Sequence, residues 1–125
     1  MPGTPYSRDH LLGIFDRAIG SNDPDFALRT ARNIDPPIEL DRALRLTVAM
    51  ALRPHPAYAA AAKRFVARFA EEEPDASLLN VAQVADALAT LSIVSNASTR
   101  DKQEAERGML RLAQQLEQRR STSSA

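Results

Sequence analysis

The sequence predicts an all-α fold: about six helices forming three antiparallel hairpins in a compact irregular bundle, with a short helical-repeat stack as the less favoured arrangement. Three observations lead there. Apolar residues recur at three- and four-residue spacing along successive stretches of the chain. Proline, glycine and short polar caps fall between those stretches, where helices start and stop. The composition is 44% hydrophobic but only 5% aromatic, with no Trp. The core must therefore be aliphatic and alanine-rich, which lets helices approach closely.

Residues 1–6 hold two prolines and a glycine and read as a flexible arm. Ser7 then offers an N-cap, and Leu11, Leu12, Ile14, Phe15, Ala18 and Ile19 repeat at helical spacing up to Gly20. Gly20 suits the left-handed position that closes many helices. Gly13, in mid-helix, costs roughly 1 kcal/mol relative to alanine and predicts a close neighbouring helix. Asp23 caps a short second helix, with Pro24 at its first position and an end near Asn33. The same device repeats at Asp35, with Pro36 and Pro37 opening a third helix that runs to Arg53.

That third helix is the predicted centre. Leu46-Thr47-Val48-Ala49-Met50-Ala51-Leu52 has one polar residue in seven, and a helix apolar nearly all round must be covered on several sides. Pro54 and Pro56 stop it, because proline cannot continue the backbone ladder. A fourth helix spans about 56–72, with Tyr58, Ala61, Ala62, Phe65 and Phe69 on one face. Glu71, Glu72 and Glu73 close it against the macrodipole, tolerable if the end frays or if the carboxylates meet arginines elsewhere.

Ser77 caps the fifth helix. Its predicted inward face is Leu78, Val81, Ala82, Ala85, Leu88 and Ala89, widened by Val84 and Leu91, so it too should be largely buried. Ser98 and Asp101 resemble a capping box for the last helix, about 99–119. Its stripe is narrow: Ala105, Met109, Leu112, Ala113 and Leu116. The resulting hairpins are 7–34, 36–72 and 77–119, within a single helical domain at 7–120, followed by a disordered tail at 121–125. Ala61, Phe65 and Pro74 echo the end of a tetratricopeptide repeat, but the preceding Gly and Tyr are missing.

RALRLTVAMA, AAKRFVARFAEE and VAQVADALATL resemble the core of small uncharacterised helical proteins from high-GC Gram-positive bacteria. The resemblance covers about residues 40–92. It implies a helical fold and carries no activity or site residues.

Composition excludes several functions. Sixteen basic residues balance sixteen acidic ones, so the chain lacks the global positive field of a typical nucleic-acid binder. There is no cysteine, hence no disulfide, thiolate metal site or cysteine nucleophile. The start has no signal-peptide core and no apolar run approaches the ~20 residues of a membrane span, which predicts a cytoplasmic protein.

Candidate chemistry is thin. His10 and His55 are the only histidines, and neither lies in a metal-ligand spacing such as HExxH. His55 draws interest because Pro54 and Pro56 make its turn rigid. Asp9, Asp16, Asp23 and Asp25 cluster near the amino end, mostly where helices begin, so capping explains them better than acid–base work. No glycine-rich phosphate loop, GxSxG or placed base is present. The sequence therefore predicts no enzyme, no cofactor and no metal. Arg42, Arg45 and Arg53 on the third helix, with His55, Arg64 and Arg68, form a candidate partner surface if they share a side. Met109, Leu112 and Leu116 form a seam suited to the bundle or to a second copy. The function expected is a non-catalytic protein-interaction domain, an adaptor or accessory subunit with a protein partner. The alternative is a DNA-binding regulator using the arginine face.

Overall fold

The computed structural model describes residues 7–123, and the predicted arm at 1–6 lies outside them. The chain is an all-helical bundle: α1 (Arg8–Gly20), α2 (Pro24–Ala31), α3 (Leu40–Leu52), α4 (Tyr58–Glu72), α5 (Leu78–Leu91) and α6 (Thr99–Ser123). Successive helices pack as the pairs α1/α2, α3/α4 and α5/α6, and α3 packs against every other helix. Leu44, Leu46, Val48 and Met50 of α3 are buried, as are Phe15 of α1, Phe65 and Phe69 of α4, and Ala113 of α6. Each fully buried large aliphatic or aromatic side chain contributes about 1.5–3 kcal/mol, so the fold is centred on α3.

Local chemistry accounts for most boundaries. The Ser7 hydroxyl accepts the His10 N–H at 3.1 Å, and Asp23 accepts the Phe26 N–H at 3.1 Å ahead of Pro24. Ser77 and Asn80 form a reciprocal capping box on α5. Ser98 accepts the Asp101 N–H at 3.1 Å before α6.

Four local expectations need correction. Gly20 is not left-handed; among the described residues the one with positive φ is Asn22, at 58°, and asparagine is among the few non-glycine residues that enter this region readily. No neighbouring helix crowds Gly13, where an added Cβ would meet only the Arg17 guanidinium at 3.7 Å. The third helix opens at Leu40, not at Pro36. Residues 34–39 instead anchor through buried Ile34 and Ile38, with a cis peptide at Asp35-Pro36. Arg8 donates to the Pro36 and Pro37 carbonyls at 3.2 Å each, supplying donors to a stretch where two successive residues lack an N–H. Finally, α6 extends through Ser123, so residues 121–123 of the expected disordered tail are helical.

The extension of α6 has a cause. Buried Asp41 at the start of α3 accepts two hydrogen bonds from Arg120, at 3.0 and 2.9 Å. Buried Glu73 at the end of α4 accepts from Arg119, which also lies 3.5 Å from Asp75. These pairs hold the carboxyl end of α6 across α3 and the α4–α5 turn. Adverse charge at the end of α4 is met by cations: Glu73 takes Arg119, and Glu72 takes Arg68 at 2.7 Å.

Candidate protein-binding groove

The predicted burial of α5 is only half right. Val84, Leu88 and Leu91 face the core, and Leu88 alone of the predicted inward set is fully buried. Leu78 is 87% exposed and Leu79 68%, while Ala82 and Ala89 face solvent. The apolar surface continues past the helix end, where Ile93 is 71% and Val94 84% exposed. Only one residue of the fourteen in α5, Asp86, is charged. Large exposed apolar residues gathered in one region mark an interaction surface more often than scattered ones do.

A groove runs between this helix and α4. It encloses about 660 Å³ and is lined mainly by Ala59, Ala62, Val66 and Ala67 of α4 with Ala85, Leu88 and Ala89 of α5, and Val94 stands at its end. Alanines form the walls, so the backbones of an incoming element and of the groove can approach closely. Tyr58 sits in the groove lining and donates its Oη–H to the Leu88 carbonyl at 2.6 Å. Burial pushes its phenol up to about 12, keeping it a neutral donor. Lys63 is the one cation in the lining, and it makes no hydrogen bond or ion pair among the described residues. No carboxylate or imidazole joins it, so the groove offers shape and apolar surface in place of acid–base chemistry.

A larger cleft of about 770 Å³ lies elsewhere, between α3, the α4–α5 turn and the end of α6. Its charged groups largely satisfy one another: Asp41 with Arg120, and Glu73 and Asp75 with Arg119. It is the polar clasp already described and presents no buried group in want of a partner. Among the described residues no three His, Asp or Glu side chains converge in a way that holds a metal ion.

The arginines proposed as a partner surface are not gathered into one strip. Arg42 turns to α1, donating to both Asp16 oxygens at 3.0 and 3.1 Å, and also pairs with Glu39 at 2.8 Å. Its hydrogen bonds to Asp16 raise its already high pKa, against the opposing effect of burial. Arg45 turns to Glu117 of α6 at 3.0 Å. Arg53 donates to the Asn22 carbonyl at 2.9 Å. His55 lies 3.3 Å from Asp25 and accepts the Ala57 N–H at 3.0 Å through Nδ1, so it braces its own turn. Arg68 pairs with Glu72, and Arg64 alone of the set has no hydrogen bond or ion pair among the described residues.

The seam proposed for self-association is likewise used within the chain. Met109 and Leu116 are buried and Leu112 is half-buried against the core, because α6 packs on both α3 and α5. The residues missed were Lys63, Val66, Ala85 and Val94. Their signal was the near-absence of charge along α5 and the Ile93-Val94 pair just beyond it. Comparisons of the chain with protein-family models, curated proteins and solved structures find no match.

Proposed function

We propose that this chain is a non-catalytic helical protein-interaction domain, an adaptor or accessory subunit, that docks through its α4–α5 face. One observation carries the reading: Val94, 84% exposed, stands at the end of an alanine-walled groove, and Leu78, Leu79 and Ile93 are exposed at or just past the two ends of α5, which forms one of its walls. Intramolecular packing does not consume that apolar surface, and a protein partner is what such a face ordinarily meets. The DNA-binding alternative depended on a continuous arginine face, and these arginines pair with acceptors on several different elements. Among the described residues no helix is long and apolar enough to cross a membrane.

The test is a tagged pull-down from a native lysate, with and without nuclease, using the wild type and Ala85→Arg, which blocks the groove. The expected result is a nuclease-resistant protein recovered in near-stoichiometric amount and lost with Ala85→Arg, while circular dichroism is unchanged. Capture that disappears with nuclease, or that is identical for the folded variant, overturns the reading.

A further inference from the structure

We infer that the occupant of the α4–α5 face is a second copy of the same chain, related by a two-fold axis running along the groove. This rests on the reading of that face as a docking surface. The argument begins with the antiparallel course of the two helices. Residues 73–77 join the end of α4 to the start of α5, and at the far end Tyr58 hydrogen-bonds the Leu88 carbonyl.

Lys63 stands five residues into α4 from that tether, and Asp86 stands two residues before Leu88 on α5. At 1.5 Å of rise per residue the two lie about 7.5 and 3 Å from the tethered end, within one helical turn of each other along the paired helices and so within the reach of a lysine side chain. Both are exposed, and neither has an ion-pair partner among the described residues. Lys63 lines the groove, whereas Asp86 lies on the outward side of α5, so the groove's own width keeps them apart.

A two-fold axis parallel to the helices sets each copy's α4 opposite the other's α5 at the same level. That operation brings each Lys63 to the other copy's Asp86, twice, as an isologous interface requires. An axis at right angles to the helices would instead set Lys63 near Lys63 and Asp86 near Asp86. The parallel arrangement also makes a four-helix layer whose centre is the two facing grooves, with Val66, Leu88 and the alanines inside it. Val94, 84% exposed past the end of α5, then covers the Ala59 end of the other copy's α4.

Analytical ultracentrifugation of the full chain across a concentration series tests this. The wild type is expected to dimerise, Lys63→Glu and Asp86→Lys each to weaken the dimer by about tenfold or more, and the double variant Lys63→Glu with Asp86→Lys to recover most of that loss. Both positions are exposed, so circular dichroism should report an unchanged fold. A wild type that is monomeric at every concentration overturns the inference, as does a dimer indifferent to the single reversals or a double variant no better than the singles. A monomer whose capture of a different protein is abolished by Ala85→Arg sinks the two-copy inference and leaves the interaction-domain reading standing. A monomer whose capture is unaffected by that variant sinks both.

Discussion

α3 and α5 carry similar sequence text and reach different ends. Leu46–Leu52 of α3 has a single polar residue, and α5 has a single charge in its length. A helix with so little polar face is expected inside a protein. α3 meets that expectation because every other helix packs against it. α5 packs against α3, α4 and α6 only, and its outer side leaves Leu78, Leu79, Ala82 and Ala89 in water alongside Asn80, Gln83 and Asp86. The difference lies in position, not in composition. Apolarity that the chain's own packing uses is a statement about folding. Apolarity left over, beside a groove, is a statement about binding.

The widest gap between the two helices should appear on truncation of their leucines. Leu44 is 0% exposed at the centre of α3, and Leu44→Ala should cost about 4 kcal/mol, the transfer of the lost atoms plus the cavity left behind. Urea unfolding checks it; a loss below about 1 kcal/mol would mean that α3 is not the centre.

The next effect concerns how the start of α3 is fixed. Asp41 has a side chain only 3% exposed and is matched by Arg120, whose side chain is 33% exposed. Arg120→Met should cost about 2–3 kcal/mol, at or below the low end for stranding a buried charge, since water reaches the vacated place. Adding Asp41→Asn should recover part of that loss in the same unfolding assay. No recovery would show that the aliphatic stem of Arg120, and not the pairing, is what matters.

α5 has its own fixing point. The Ser92 N–H bonds the Ala89 carbonyl at 3.1 Å, so the Leu88 carbonyl takes its hydrogen bond from Tyr58 across the groove. Tyr58→Phe removes that donor from an orphan carbonyl near the helix end and should cost about 1 kcal/mol. A thermal melt equal to wild type would argue that water serves equally well there.

The pH dependence of α3 is smaller and its sign is fixed. Burial alone would raise the Glu39 carboxyl, but its own backbone N–H together with Arg42 and Arg8 holds it below the ordinary 4.5. A depressed folded value means the stabilisation is complete above the unfolded value and fades as pH falls through the folded one. Glu39→Gln should therefore flatten the stability profile only below about pH 4.5. A flattening on the alkaline side would contradict the pairing.

How much of this was legible in the sequence follows from which interactions are local. Ser7, Asp23 and Ser77 cap within three residues, so their helix starts were readable. The α3 core was readable from its apolarity alone. The start of α3 was not, because the donors that hold the Pro36 and Pro37 carbonyls come from Arg8, almost thirty residues earlier. The placement of the arginines was not legible for the same reason: Arg42 and Arg45 share a helix, yet their acceptors sit on α1 and α6. The groove was missed because periodicity gives the apolar arc of α5 but not which part of it the bundle covers. Only a tertiary arrangement assigns Val84 and Leu91 inward and Leu78 outward.

That assignment supplies the smallest and sharpest test. Leu78 lies 87% exposed in the first turn of α5, so Leu78→Ser removes little buried area. It should change stability by no more than about 0.5 kcal/mol, in contrast to Leu44→Ala. Had the leucine belonged to the core, as its place in the helical repeat implies, the same change would cost several kcal/mol. A near-zero result in urea, paired with weaker self-association in the ultracentrifuge, would separate the two uses of apolar surface within one chain. A large loss of stability would return α5 to the core and remove the reason to look for anything docked upon it.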